Sequence, residues 1–156
     1  MPSLQDLQRN YTFYHGAGPV PQYARDAFRP RRQYIGQVEL AGALTPYLSL
    51  PQLLSGRRVI HFIDNTAALA GLMKGYSRVL DCARFVHAFH AWNVGARATV
   101  WFEYVVTDAN PADEPSRDLR LADSVWEVAP GITSSPVPIV FPPPERLVDP
   151  SAWMQS

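Results

Sequence analysis

The sequence predicts an α/β domain with helices packed on a mixed sheet, and three observations carry that expectation. Segments rich in β-branched and aromatic residues alternate with segments of helical apolar spacing, in the order strand, strand, helix, strand, two helices, strand, helix. None of the 15 prolines falls between Pro51 and Pro111. Regular structure is expected to be densest there, because proline cannot donate a backbone hydrogen bond or sit inside a helix. Hydrophobic residues make up 47% of the 156 and charged residues 18%, the balance of a chain that can bury a core.

Residues 1–10 lack a periodic pattern and are expected to form a frayed terminus. Tyr11–Tyr14 is aromatic and β-prone, and leads into the turn-like His15-Gly16-Ala17-Gly18-Pro19. Pro19, Pro21 and Pro30 keep the next stretch irregular, and Arg32–Gly36 reads as a short strand. Leu40, Ala43, Leu44, Tyr47 and Leu48 recur at helical spacing, so a helix is expected from about Gln37, bent or ended by Pro46. Gly56-Arg57-Arg58 turns into Val59–Ile63, an apolar run expected to be a strand buried on both faces. Asn65 or Thr66 can cap a helix over Ala67–Lys74, which Gly75 stops. Ser77 can cap a longer helix running to about Asn93 and ending at Gly95. Its apolar stripe is Val79, Ala83, Val86 and Phe89 or His90, widened by Leu80 and Phe85. Thr99–Thr107 reads as the second strong strand, broken by Asp108-Ala109-Asn110-Pro111, and residues 112–125 as a last helix. Seven prolines lie from Pro130 onward in a stretch without periodicity. The expected organisation is therefore one domain over residues 11–126 and a proline-rich tail or linker over 127–156.

The formal net charge is zero, but it is a sum of opposites. Residues 1–58 hold seven arginines against three carboxylates, and residues 111–156 hold seven carboxylates against three arginines. The basic front is compatible with a nucleic-acid partner. A lone Cys82 excludes a disulfide framework, and with no cysteine pair or regular histidine spacing the four histidines do not suggest zinc. No apolar run approaches the ~18–20 residues that span a bilayer, and no basic segment followed by an apolar one opens the chain. The expectation is a cytoplasmic or nuclear protein, neither secreted nor membrane-bound. Trp92, Trp101, Phe102 and Tyr104 read as core and sheet packing; an exposed aromatic among them would admit base stacking.

Three carboxylates stand where a charge is awkward. Glu39 lies between Val38 and Leu40 at the head of an apolar helix, Asp64 ends the most apolar strand, and Asp113 follows the second strong strand. In open α/β sheets, ligand sites form beyond the carboxyl ends of strands. Crowded carboxylates repel unless a cation neutralises them, and hard oxygens of this kind suit Mg²⁺. Taken singly, each has a plainer reading: a helix cap for Asp64, a dipole partner for Glu39, a surface residue for Asp113.

Four blocks in order then carry a resemblance: Gln37-Val38-Glu39-Leu40, Phe62-Ile63-Asp64-Asn65-Thr66-Ala67-Ala68, Lys74-Gly75-Tyr76-Ser77, and Asn110-Pro111-Ala112-Asp113-Glu114-Pro115-Ser116-Arg117. Together they resemble the RNase H domain that follows the reverse transcriptase in retroelements, most closely of the DIRS and related types, over residues 33–117. The resemblance implies an RNase H-like fold. It also implies hydrolysis of the RNA strand of an RNA–DNA hybrid with two divalent cations, Mg²⁺ or Mn²⁺, held by Glu39, Asp64 and Asp113 as the catalytic carboxylates. It further implies a reverse transcriptase domain on a longer parent polyprotein. Asn65 would cap its helix or touch the hybrid, and Arg117 would pair with phosphate or with a neighbouring carboxylate. Arg31, Arg32, Arg57 and Arg58 are candidates for nucleic-acid contact or are solvated turn residues. One element departs from the family. Its first metal-binding Asp ends the first strand, whereas Tyr11–His15 contains no Asp and Asp6 is the only upstream candidate. The first strand is thus expected to be truncated or diverged. The alternative implied is a non-catalytic remnant that binds nucleic acid or a protein partner.

Overall fold

A computed structural model describes residues 12–26, 35–113 and 133–143. It is mixed α/β, with two small parallel sheets and helices, and its contacts divide the chain into two units. Among the described residues no helix is long and apolar enough to cross a membrane.

The smaller unit takes residues 1–19 and 111–139. Strand β1, Thr12–His15, forms here as its aromatic and β-branched content predicts. Its partner comes from the proline-rich segment: Thr12 pairs in parallel with Thr133, and the ladder runs to His15 opposite Pro136. The Val137 N–H extends it by donating to the His15 carbonyl at 2.8 Å. Gly16 is required by this approach, since a Cβ there would lie 2.5 Å from the Val137 carbonyl oxygen. The Asp113 end of the resemblance also belongs to this unit.

The larger unit takes residues 20–110 and 140–156. After a short helix α1, Gln22–Asp26, its described elements are α2 (Ile35–Ser49), α3 (Pro51–Leu54), β2 (Arg58–Ile63), α4 (Thr66–Lys74), α5 (Leu80–Ala96) and β3 (Thr99–Tyr104). Strands β2 and β3 pair in parallel, Arg58 with Thr99 through Ile63 with Tyr104. A parallel pair cannot be closed by a hairpin, so the chain returns through α4 and α5. The core is built where these helices and α2 meet the sheet: Leu40, Ala41, Leu44 and Tyr47 from α2, Ile63 from β2, Ala68 and Leu72 from α4, and Phe85, Val86, Phe89 and Trp92 from α5. Tyr47 lies at its centre, with ring centroids 4.8 Å from Trp92 and 5.1 Å from Phe89. Phe141 packs against this core and Pro142 is fully buried, so part of the proline-rich segment is built into the unit.

Several local expectations are corrected. Ile35 and Gly36 belong to α2 rather than to a strand, while residues 31–34 lie outside the described set. Pro46 neither ends nor breaks α2, which continues to Ser49. The backbone bond that Pro46 cannot make would have gone to Gly42, and the Thr45 hydroxyl takes its place, donating to the Gly42 carbonyl at 2.7 Å. Asn65, not Thr66, caps α4, its side-chain oxygen accepting from the Ala68 N–H at 2.9 Å, and Gly75 closes the helix at φ 79°. Helix α5 starts at Leu80, because the Ser77 hydroxyl accepts from the Val79 N–H in the turn before it. Gly95 lies inside α5, whose left-handed closing residue is Arg97 at φ 55°. Leu80 is exposed, and the buried stripe of α5 is Ala83, Phe85, Val86, Ala88, Phe89 and Trp92. β3 ends at Tyr104, before a single 3₁₀ turn at Thr107–Ala109. Strand β2 is covered on one face only: Val59, His61 and Ile63 lie toward the helices while Ile60 and Phe62 are exposed. Likewise Trp92 and Phe102 pack in or against the core, whereas Trp101 and Tyr104 are exposed. The helix predicted over 112–125 falls outside the described residues beyond Asp113.

The Thr45 bond predicts a coupling. Thr45→Val should cost about 1–2 kcal/mol in urea unfolding, by stranding the Gly42 carbonyl. In a Pro46→Ala background the same change should cost clearly less, because the restored backbone N–H donates to Gly42. Equal costs in both backgrounds would show that the hydroxyl does not substitute for the missing bond.

Candidate functional site

The parallel pair gives the larger unit two distinct edges. At the amino edge, the Thr99 N–H donates to the Arg57 carbonyl and the Gly56 N–H to the Ala96 carbonyl, each at 2.8 Å. The carboxyl end of α5 therefore meets the starts of both strands, and its first turn reaches the opposite, carboxyl edge. The buried Gln37 amide donates to the buried Asp81 carboxylate at 3.0 Å, which ties the start of α2 to that first turn. Helix α2 thus runs antiparallel to β2. Glu39, half-buried, lies four and eight residues before Ala43 and Tyr47, on the face that packs inward, and toward the carboxyl edge.

Asp64 follows β2 at that same edge and is half-buried. Its Oδ2 accepts from the Asn110 Nδ2 at 3.0 Å. Asn110 closes the 3₁₀ turn after β3, its N–H donating to the Thr107 carbonyl at 3.0 Å. The ends of both strands are also linked through their backbones, Val105 N–H to Ile63 carbonyl at 3.1 Å. Asn65 is spent on its cap, which fixes the backbone just after Asp64.

The larger unit therefore brings Glu39, Asp64 and Asn110 to one edge. Arg57 and Arg58 are exposed at the other, one strand length of ~20 Å away. Asp113 lies in the smaller unit, half-buried and three residues after Asn110; Asp6, Arg31, Arg32 and Arg117 lie outside the described residues. Among the described residues no group of three His, Cys, Asp or Glu side chains forms a metal cage. The donors at the carboxyl edge are carboxylate and amide oxygens, a set whose chemistry fits Mg²⁺ or Mn²⁺.

Two features escaped the sequence. The Gln37–Asp81 pair joins residues 44 apart; its one local signal is a carboxylate in the first turn of a helix, where the dipole favours it. The other is His61, whose Nδ1 lies 2.7 Å from the Tyr47 hydroxyl inside the helix–sheet interface. Burial lowers the His61 pKa to about 4 and pushes the Tyr47 phenol up, so both are neutral at pH 7. His90, on α5, has its Nε2 3.0 Å from the Leu72 carbonyl, a structural tie to the end of α4.

His61 makes a pH prediction. Its folded pKa of about 4 lies below the ~6.5 of an unfolded histidine, so the unfolded chain binds the proton first. The stability it contributes is complete above about pH 6.5 and is lost as pH falls toward 4, by up to about 3 kcal/mol. The urea midpoint should fall across that window, and His61→Phe should remove that part of the fall. A midpoint whose pH profile is unchanged by His61→Phe would contradict the buried neutral histidine.

Compared with known families, curated proteins and solved structures, the chain finds no match in any of the three.

Proposed function

We propose that this chain is an RNase H-like domain of retroelement origin, which binds an RNA–DNA hybrid and hydrolyses its RNA strand. The observation that supports this reading is the hydrogen bond between Asp64, at the end of β2, and Asn110, the first residue of the Asn110–Arg117 block. Two sequence blocks that the resemblance singles out, 46 residues apart, meet at the carboxyl edge of a parallel sheet, where α/β folds bind ligands.

In this reading Glu39, Asp64 and Asp113 would hold the divalent cations as the resemblance implies, although among the described residues the three form no cluster and Asp113 belongs to the smaller unit. When bound, such a metal pair supplies a hydroxide nucleophile and stabilises the leaving oxygen of the phosphodiester. Asn110 fixes the rotamer of Asp64 by engaging one of its oxygens, the kind of support that orients a metal ligand. The Asn65 cap holds the backbone that carries Asp64. Arg57, Arg58 and Arg117 serve as phosphate contacts, which position a duplex without reading its sequence. The parent protein would carry the reverse transcriptase, with the domain acting in cytoplasm or nucleus.

One observation favours a second reading, the non-catalytic remnant that binds nucleic acid or protein. Strand β1, Thr-Phe-Tyr-His, carries no carboxylate for the family's first metal position.

The two readings separate on a labelled RNA–DNA hybrid with Mg²⁺ or Mn²⁺. Cleavage abolished by Asp64→Asn and slowed roughly 10–100-fold by Asn110→Ala supports the nuclease. Binding without cleavage, independent of Mg²⁺ and weakening steeply with salt, supports the remnant. Cleavage that survives Asp64→Asn rules out the carboxylate assignment.

A further inference from the structure

Parallel sheets are ordinarily covered on both faces, yet among the described residues of the larger unit no element covers the face of β2–β3 turned away from the helices. Its three levels are Arg58 beside Thr99, Ile60 beside Trp101, and Phe62 beside Glu103. The middle is apolar and bare: Ile60 is 65% exposed, Phe62 58% and Trp101 65%. At the edge of β3, Met73 of α4, 61% exposed, lines a shallow hollow of about 170 Å³ with Val100, Trp101 and Phe102. A monomer rarely leaves an apolar patch of more than a few hundred Å² open.

The charges on this face indicate what covers it. Arg58 and Glu103 stand at diagonally opposite corners, separated by four residues' rise and one strand spacing, ~14 Å. They are too far apart to meet within one chain. The Glu103 carboxylate is turned back over the patch, its Oε2 accepting from the Trp101 indole N–H at 3.1 Å. A face with one cation, one anion and an apolar centre is self-complementary. It is poorly suited to nucleic acid, because the carboxylate held over Trp101 repels phosphate.

We infer that this face is the interface of a two-fold symmetric homodimer. A two-fold axis lying between the faces, nearly perpendicular to the strands, stacks the Ile60–Trp101 level of one copy on that of its partner. The same operation sets each Arg58 over the partner's Glu103. The strands then run antiparallel, crossing at roughly 40°, close to the ~30° at which twisted sheets pack face to face. Each interaction occurs twice, as isologous contact requires. The face lies off the carboxyl edge, so the dimer leaves the proposed carboxylate site untouched, but it takes Arg58 out of the phosphate contacts of that reading.

Light scattering on size-exclusion fractions and sedimentation velocity of the full chain test it. The wild type should be a dimer at micromolar concentration, and Trp101→Glu a monomer with unchanged far-UV circular dichroism. Arg58→Glu and Glu103→Arg should each raise the dimer dissociation constant about tenfold, and the double charge swap should restore it. A wild type that is monomeric throughout overturns the inference, as does a dimer untouched by Trp101→Glu or a swap that fails to rescue. A monomer that binds single-stranded oligonucleotide, with binding lost in Trp101→Ala, overturns it in favour of a stacking surface.

Discussion

The parallel pairing of β2 with β3 governs the larger unit. Parallel strands need a long return, and α4 and α5 supply it across one face of the sheet. That return makes α5 antiparallel to both strands, so its first turn and both strand ends share an edge. Helix α2 is then docked antiparallel to β2 by the Gln37–Asp81 bond at one end and the Tyr47–His61 bond nearer the other. The meeting of Asp64 with Asn110 follows from this arrangement, since the carboxyl ends of parallel neighbours lie side by side.

The interior combines apolar burial with a few satisfied polar groups. Tyr47, Phe89 and Trp92 supply much of the buried aromatic surface, and truncating a buried aromatic to alanine typically costs about 3–5 kcal/mol. Tyr47 and His61 add a polar pair at the helix–sheet interface, which is tolerable because each satisfies the other and both are neutral. The same economy appears in α2, where Thr45 occupies the carbonyl that Pro46 leaves without a backbone donor. Buried side-chain polar atoms here are matched by near neighbours, with the Asn93 side-chain Oδ1 as the exception among the described residues.

Edge and face of the sheet differ in their chemistry. The carboxyl edge brings Glu39, Asp64 and Asn110 together on rigid supports: the start of a helix, the end of a strand and a 3₁₀ turn. The open face is apolar with one charge of each sign, the composition of a protein interface rather than of a phosphate-binding surface. A dimer through that face would leave the carboxyl edge of each copy accessible.

The sequence by itself determined the elements whose signals are local. Asn65 and Gly75 bracket α4 through a side-chain cap and a left-handed glycine, and Val59–Ile63 and Val100–Phe102 are strands because branched and aromatic residues crowd there. The carboxylates of the candidate site were legible as awkwardly placed charges. Asp64 and Glu39 share an edge, but which side chain supports Asp64 was not legible, because Asn110 reaches it only across the strand pair. Pro46 misled because the compensating hydroxyl belongs to its neighbour, and Gly95 misled because Arg97 accepts the left-handed turn instead. The exposed face escaped for a different reason. Ile60, Phe62 and Trp101 are as apolar as their inward-facing neighbours Val59, Ile63 and Phe102, and alternation in a strand separates two faces without saying what covers either. Only the tertiary structure decided that, because coverage depends on where the helices of the crossover come to rest.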